Sequence, residues 1–294
     1  MRTIQKGNRK KRRRRSRMAI LSDQHMHSTY SGDAKNSMED MILSAIEKGL
    51  KNITFTEHMD FGYPYDKSNG ELKPGDFDLN TDAYLYELLT MRAKYEDKIR
   101  IGFGVEIGLD LEEVRNNAIY AKSHEFDLII ASLHMVDKVD PYYPEFFADK
   151  SEEEAYGLYF TRMYENLLKF ENFDILGHLD YIVRYGPNKD ANYKYEIYKD
   201  TIDKILKYLI EHEKGLEINT AGLRKGLKDI HPALDILKRY KELGGEIVTV
   251  GSDAHSTGTI ASDFDKAEEA LRECGFRYYS IIENRIAEYK KLGM

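Results

Sequence analysis

The chain has one cysteine, no tryptophan and no stretch of about 18 uncharged apolar residues in its 294 positions. The single Cys274 cannot form an internal disulfide, and one thiolate cannot complete a zinc site built from cysteines. No membrane-spanning helix is predicted, and the apolar stretch after the amino-terminal charges is too short for a secretory signal. These absences predict a cytoplasmic protein in which any metal site uses histidines and carboxylates.

Charge is distributed unevenly along the chain. Residues 1–17 carry ten lysines and arginines and no acid, so the formal charge of −7 hides a remainder with 34 bases, 51 acids and a net charge of −17. So acidic a body repels long polyanions, which argues against nucleic acid as a partner unless the basic leader supplies the affinity. We expect residues 1–17 to be a disordered leader, or a non-native start before Met18, and residues 18–294 to form one domain.

Short apolar runs alternate with longer helical patterns along this domain. The predicted strands are 19–23, 52–56, 99–105, 127–133, 174–176, 215–218 and 246–250. The predicted helices are 38–48, 81–96, 111–124, 152–170, 193–213, 232–243 and 264–273. Strict alternation indicates a parallel sheet covered by helices, and about 250 residues without a Pro/Gly/Ser-rich linker favour one TIM-like α/β barrel.

Six of the nine histidines stand at the ends of the predicted strands, together with several acids. These strand ends carry His25, His27, Glu57, His58, Glu106, His134, His178, Asp253 and His255. The carboxyl ends of the strands of a parallel barrel meet on one face, so these side chains are expected to converge. Imidazole and carboxylate bind first-row divalent metals, and the spacing of His25 and His27 points both rings the same way in a strand. Each histidine alone could be a core residue, but the set predicts a metal site.

The other three histidines provide a comparison. His124 and His212 stand near helix ends, where a cation suits the helix dipole, and are expected to be structural. His231 precedes Pro232 in a loop and could face the site.

The motifs D-x-H-x-H (23–27), E-H (57–58), G-V-E (104–106), S-L-H (132–134), G-H-L-D (177–180) and G-S-D-A-H (251–255) together resemble the polymerase and histidinol phosphatase (PHP) superfamily. The resemblance covers nearly all of residues 18–260. These 294 residues are expected to hold no second domain, and residues 219–226 read N-T-A-G-L-R-K-G, so the chain is similar to the single-domain histidinol phosphate phosphatases of that superfamily. This likeness implies a distorted (β/α)7 barrel and hydrolysis of L-histidinol phosphate in histidine biosynthesis.

The resemblance also implies three divalent metal ions. The first would be bound by His25, His27, Glu106 and Asp253. The second would share Glu106 and take His134 and His178. The third would take His58, His255 and Asp33, a position where some family members have histidine. Zinc, iron and manganese all suit such ligands.

Metal chemistry explains why a phosphatase needs these ligands. Clustered ions bind phosphoryl oxygens and lower the pKa of a shared water, so that a bridging hydroxide can attack phosphorus. Glu106 would then be an ionised bridging carboxylate. Asp253 and His255 are both candidates for proton transfer.

Two arginines are candidate phosphate ligands. Arg184 lies six residues past His178, and Arg224 lies six residues past the predicted sixth strand, both in expected barrel-top loops. The guanidinium fork matches two phosphate oxygens; Lys225 is a weaker third candidate. Histidinol carries an ammonium and an imidazole, and the loop 59–66 offers the acids and aromatic rings that would suit them.

Two other functions stay open on the sequence alone. A PHP nuclease or nucleotide phosphoesterase would use the basic leader to bind nucleic acid. A metal-stabilised barrel that only binds a ligand would keep the metal ligands without hydrolysis. A small phosphorylated substrate is the main expectation, and the oligomeric state is open.

Overall fold

The computed structural model describes residues 19–65, 73 and 75–293. The predicted leader 1–17, and Asp66 of the loop 59–66, lie outside the described residues. Seven parallel strands pair in chain order: β1 (Ser22–Met26), β2 (Asn52–Met59), β3 (Arg100–Gly108), β4 (Leu128–Ser132), β5 (Ile175–Leu176), β6 (Gly215–Asn219) and β7 (Val248–Gly251). A parallel bridge between Met26 and Ala254 joins the two edges. The sheet is therefore a nearly closed barrel, which confirms the predicted distorted (β/α)7 fold.

Helices connect and cover these strands. In the described ranges they are α1 (Met38–Lys48), α2 (Thr81–Tyr95), α3 (Val114–Tyr120), α4 (Glu152–Leu167), α5 (Tyr195–Glu211), α6 (Ala221–Arg224), α7 (Leu234–Glu242) and α8 (Phe264–Glu273). Three 3-10 turns follow β4, β5 and β7, at Pro144–Phe147, Tyr181–Arg184 and Thr257–Thr259. None of the helices in this part of the chain has the length and apolar character needed to cross a membrane.

Local signals explain where several helices begin. The Ser37 side chain accepts from the Asp40 N–H at the start of α1, and Ser151 with Glu154 forms a capping box on α4. Helix α3 is shorter than the predicted 111–124. Its predicted beginning is a turn in which Asp110 Oδ1 accepts from the Glu112 N–H at 2.9 Å.

Strands β1, β2 and β3 extend further into the metal-ligand motifs than the predicted 19–23, 52–56 and 99–105, and β3 continues past Glu106 to Gly108. Strand β1 reaches Met26, and β2 continues to Met59, with His58 opposite Glu106 of β3 in the parallel register. Charged residues end the apolar pattern at these points, but their backbone groups continue the ladder. The candidate ligands are therefore held by paired strands as well as by loops.

The apolar core lies between the strands and the helices. Tyr84 of α2 is fully buried, and its hydroxyl lies 3.0 Å from the Phe55 carbonyl and 3.1 Å from the Gly104 carbonyl. Burial of an apolar side chain such as the neighbouring Phe55 stabilises the fold by about 1.5–3 kcal/mol. This packing keeps β2 and β3 in place under the site.

An antiparallel hairpin, β8 (Tyr278–Glu283) with β9 (Ile286–Lys291), was not predicted. It covers the amino-terminal ends of the barrel strands, opposite the metal-ligand motifs. Ile282 packs against Leu128, and its N–H donates to Gln24 Oε1 at 2.8 Å. The hairpin therefore closes the bottom of the barrel and supplies a donor to the buried side-chain oxygen of Gln24.

Candidate metal centre

Glu106 of β3 is the centre of the candidate site. It is fully buried, and five imidazole nitrogens lie 2.9–3.5 Å from its two carboxylate oxygens. They belong to His25, His27 and His58 around Oε2, and to His134 and His178 around Oε1. One carboxylate thus faces two groups of histidines, as a carboxylate shared by two ions would.

A glycine makes room for the contact that orients Glu106. The Ser132 hydroxyl donates to Glu106 Oε1 at 2.6 Å. A Cβ at position 177 would lie 2.3 Å from that hydroxyl oxygen. Gly177, the first residue of the G-H-L-D motif, therefore allows Ser132 to hold the shared carboxylate.

Asp253 faces the first group of histidines from the end of β7. Its Oδ1 lies 3.9 Å from His25 Nε2, 3.7 Å from His27 Nε2 and 3.4 Å from His255 Nδ1. Asp253 has a positive φ of 52°, an uncommon backbone conformation for a residue other than glycine. The turn after β7 therefore brings this carboxylate back over the cluster.

Asp33 and His255 form the outer part of the cluster. Asp33 Oδ2 lies 3.2 Å from His255 Nε2, and Asp33 Oδ1 lies 3.9 Å from His58 Nε2. The His27 ring stacks between His58 and His255, with centroids 4.3 and 4.2 Å away. The structure therefore brings all nine predicted metal ligands together at the carboxyl end of the barrel.

The donor set fits metal ions. Several buried atoms of the predicted ligands lie close together but have no hydrogen-bond partner among the described residues: His25 Nε2, His27 Nε2, His58 Nδ1 and Glu106 Oε2. The Oδ2 of Asp60, beside them, has none either. Buried polar atoms are normally paired, because an unpaired one loses its hydration without compensation. Ligands about 2.0–2.1 Å from a tetrahedral ion lie about 3.4 Å apart, close to the 3.2 and 3.5 Å from Glu106 Oε2 to His25 and His27. Shared ions would satisfy these atoms.

Contacts behind the ligands set the orientation of the rings. Glu217 of β6 accepts from His25 Nδ1 at 2.6 Å, which leaves His25 Nε2 to face the cluster. Asp60 Oδ1 does the same for His134 Nδ1 at 2.7 Å. A carboxylate behind a histidine is a common feature of metal sites, where it sets the tautomer and raises ligand basicity. Glu217 was not predicted, although a carboxylate inside the apolar run 215–218 was a usable signal.

Two buried glutamates near the ligands differ in their ionisation. Burial raises the pKa of Glu57 to about 7, although hydrogen bonds from Ser28 and Ser31 oppose the shift. Burial also disfavours the ionised form of Glu217, but contacts with His25 and His178 outweigh it and lower the pKa of Glu217. Glu217 is therefore an anion at neutral pH, which fits its two oxygens accepting from His25 Nδ1 and from the His178 N–H.

A cavity of about 820 Å³ lies at the metal-ligand cluster. It is lined by Glu106 and by both predicted arginines, Arg184 and Arg224. The Arg184 Nη2 donates to Asp253 Oδ2 at 3.1 Å, and the guanidinium carbon lies 4.9 Å from the Tyr181 ring. The Arg224 Nη2 donates to the Ser252 carbonyl at 2.5 Å, while its buried Nη1 has no hydrogen-bond partner in the described part of the chain. Lys225 also lines the cavity. The side chains of Arg184, Arg224 and Lys225 and most of the predicted metal ligands therefore line one cavity.

Of the three histidines outside the predicted ligand set, His124 and His212 lie away from the cavity and His231 lies next to one of its arginines. His124 Nε2 lies 3.1 Å from the exposed Asp82, and His212 stacks on Tyr208 at the end of α5, so neither lines the cavity. His231 is fully buried and accepts a hydrogen bond from Arg184 Nε at 2.9 Å. It therefore contacts a predicted phosphate ligand.

Aromatic and acidic side chains line another part of the cavity. Tyr63 and Phe77 pack edge to face, and the Tyr63 hydroxyl donates to Asp140 Oδ2 at 2.7 Å. Burial and the neighbouring Asp140 raise the pKa of Tyr63. Phe77 also packs against the ligand His58. Of these residues only Tyr63 belongs to the predicted loop 59–66.

The PHP domain family model matches residues 23–221, the part of the chain that carries β1 to β6. The match covers more than half of the chain and spans most of the ligands around Glu106. The chain belongs to the PHP domain family.

Comparison with individual proteins is more specific than the match to the family. The chain is 35% identical over 255 residues to the histidinol-phosphatase of Lactococcus lactis, covering 86% of this chain and 91% of that protein. It is 33% identical over 271 residues to a protein of Clostridium acetobutylicum named "Probable histidinol-phosphatase", covering 92% and 100% of the two chains. It also matches the crystal structure of L. lactis histidinol phosphate phosphatase complexed with zinc, L-histidinol and phosphate. That match has a TM-score of 0.81 and 32% identity over 91% of this chain and 98% of the other.

Proposed function

We propose that this chain is a metal-dependent phosphomonoesterase that hydrolyses L-histidinol phosphate to L-histidinol and phosphate, a step of histidine biosynthesis. The observation that carries the proposal is the meeting of the Glu106 cluster with Arg184 and Arg224 in one cavity. The L. lactis relative, bound to zinc, L-histidinol and phosphate, supports the choice of substrate. The single cysteine supports a cytoplasmic location.

We assign three divalent ions to the cluster. The first would be held by His25, His27, Glu106 and Asp253, the second by Glu106, His134 and His178, and the third by His58, His255 and Asp33. When bound, such ions neutralise phosphoryl oxygens and supply a nucleophilic water at neutral pH. Ligand atoms within 4.8 Å of one another support part of this assignment: they group His25 with His27 and Glu106, Glu106 with His134 and His178, and His58 and His255 with His27. Asp253 and Asp33 are added because they lie 3.7 Å from His27 and 3.2 Å from His255.

The protein's own residues bind and orient the phosphate. Arg224 Nη1, which has no hydrogen-bond partner in the described ranges, and the guanidinium of Arg184 can each donate to phosphate oxygens. Burial strengthens such charge-assisted bonds. Asp253 holds Arg184 through Oδ2 while its Oδ1 faces the histidines, so it couples the two parts of the site. Asp253 and His255 are the candidates for transferring a proton to the leaving oxygen.

The leaving group would occupy the aromatic and acidic part of the cavity. Asp140, Tyr63 and Phe77 border it. A carboxylate suits the ammonium of histidinol, and aromatic rings suit its imidazole. The cavity thus has separate regions for the two ends of the substrate.

We further propose that residues 18–294 form the catalytic domain and that the leader 1–17 is dispensable for hydrolysis. A chain that starts at Met18 should keep its rate of phosphate release. Loss of a salt-sensitive affinity for DNA or RNA on this truncation would instead support a nucleic-acid function.

A phosphate-release assay tests the proposal. Protein loaded with zinc or manganese should hydrolyse histidinol phosphate with a kcat/KM on the order of 100-fold above that for p-nitrophenyl phosphate, because only the former fills the leaving-group pocket. Glu106→Gln should abolish both activities and so assign them to this cluster. Equal rates on both substrates would contradict the substrate assignment, and no release by the metal-loaded protein would contradict the phosphatase.

A further inference from the structure

A buried chain of hydrogen bonds runs behind Arg184. The Arg184 Nε donates to His231 Nε2 at 2.9 Å, and His231 Nδ1 lies 2.5 Å from Asp180 Oδ1. Asp180 is itself held, because its Oδ2 accepts from the Ala233 N–H at 2.8 Å. Asp180, His231 and Arg184 are at most 7% exposed. Water therefore cannot replace these contacts freely.

The hydrogen bond from Arg184 determines the tautomer of His231. A guanidinium has only donors, so His231 Nε2 must be unprotonated to accept from it. The ring proton is then on Nδ1, where it is donated to Asp180. Burial lowers the pKa of His231 against the opposing effect of Asp180, which keeps the ring neutral.

The backbone holds His231 in register with the strand beside it. The N–H of His231 donates to the Asn219 carbonyl at 2.8 Å, and the Asn219 N–H donates to the His231 carbonyl at 2.7 Å. The Asn219 Oδ1 accepts from Arg184 Nη2 at 3.3 Å. Gly222 leaves space for the ring, since a Cβ there would lie 3.1 Å from His231 Nε2.

We propose that His231, backed by Asp180, is a positioning residue that fixes the guanidinium of Arg184 for the phosphate group. The inference rests on the proposed phosphatase function. His231 touches Arg184 and does not line the cavity, so it acts through the arginine. An arginine held at Nε loses less side-chain freedom when phosphate binds, which favours binding.

Three variants test this role with inorganic phosphate and histidinol phosphate as probes. His231→Phe keeps a ring but has no acceptor, and should raise KM and the inhibition constant of phosphate by about tenfold, with a smaller change in kcat. His231→Gln can place its amide oxygen near Arg184 Nε and should keep both values within about threefold of the unaltered protein. His212→Phe, the same exchange at an exposed helix end, should change neither.

A double-mutant cycle with Arg184→Ala separates positioning from a general structural effect. If His231 acts through Arg184, His231→Phe should have little further effect on phosphate inhibition once the arginine is absent. Equal effects of His231→Phe in both backgrounds, or no rise in KM with bound metal unchanged, would overturn the inference. Failure of the unaltered protein to release phosphate at all would instead contradict the proposed function. Metal content and circular dichroism of each variant show whether it is folded.

Discussion

Glu217→Gln should weaken metal binding although Glu217 is not an assigned ligand. One carboxylate oxygen accepts from His25 Nδ1 at 2.6 Å and the other accepts from the His178 N–H at 2.9 Å. A glutamine has only one acceptor oxygen at its end. In either orientation of the amide, an NH2 group must face the ring N–H of His25 or the backbone N–H of His178, so one buried donor loses its acceptor.

The size of the effect follows from the loss of that bond. An unpaired buried donor costs about 1–3 kcal/mol, and 1.4 kcal/mol corresponds to a factor of ten in an equilibrium constant. Loss of the negative charge also makes His25 a weaker ligand. We therefore expect zinc affinity to fall by about 10- to 100-fold, the range typical of residues that orient metal-bound histidines.

Competition with a zinc chelator of known affinity measures this change. Glu211→Gln at the exposed end of α5 removes the same charge far from the cluster and should leave zinc affinity unchanged. Thermal unfolding of both variants without metal checks that they fold. Unchanged zinc affinity in folded Glu217→Gln would refute the reasoning that Glu217 orients His25.

Three further predictions concern other parts of the molecule. Arg224→Ala should raise KM for histidinol phosphate by about tenfold, with bound metal unchanged, because Nη1, unpaired among the residues described, is lost as a phosphate donor. Ile282→Ala should lower the free energy of unfolding by about 2–5 kcal/mol, measured by urea denaturation, because the side chain is 4% exposed where the hairpin meets the barrel. Cys274 should react slowly with a disulfide reagent at pH 8 until the protein is unfolded, because burial raises the pKa of its thiol to about 11 and so lowers the thiolate fraction.

A specific result would contradict each of these three predictions. An unchanged KM would remove Arg224 from the phosphate site. A loss below about 1 kcal/mol for Ile282→Ala would show that the hairpin contributes little to barrel stability, and the exposed Ile286→Ala serves as its control. Rapid reaction of the folded protein would place the Cys274 thiol in contact with solvent.

The barrel and its metal face could be predicted because two patterns coincide in the sequence. Strand-like runs alternate with helical patterns, and metal-ligating residues stand at the ends of these runs. Alternating apolar runs and helical patterns indicate parallel strands. His134, directly after one run, and His178, two residues after another, must then lie at the carboxyl face. Strand ends were less predictable. His58 interrupts the apolar pattern, yet its backbone continues the ladder to Met59.

Residues that act behind the ligands gave weaker signals. Glu217 is one acid inside an apolar run, and only the closed barrel shows that it faces His25. His231 lies in a loop, and its contact with Arg184 depends on how the segment after α6 pairs with Asn219. The hairpin was missed because its role depends on contacts with strands more than 100 residues away in the sequence, among them the bond from Arg285 to Asp174.

The position of the hairpin in the sequence also determines when the bottom of the barrel can close during translation. Gln24 and the Ile282 N–H that it accepts from are separated by 258 positions, so β1 leaves the ribosome long before its partner is translated. Every residue of the metal cluster, from His25 to His255, emerges earlier than Tyr278. The whole metal face of the barrel is therefore translated while the opposite end is still open, and the hairpin can close that end only after the rest of the barrel has left the ribosome.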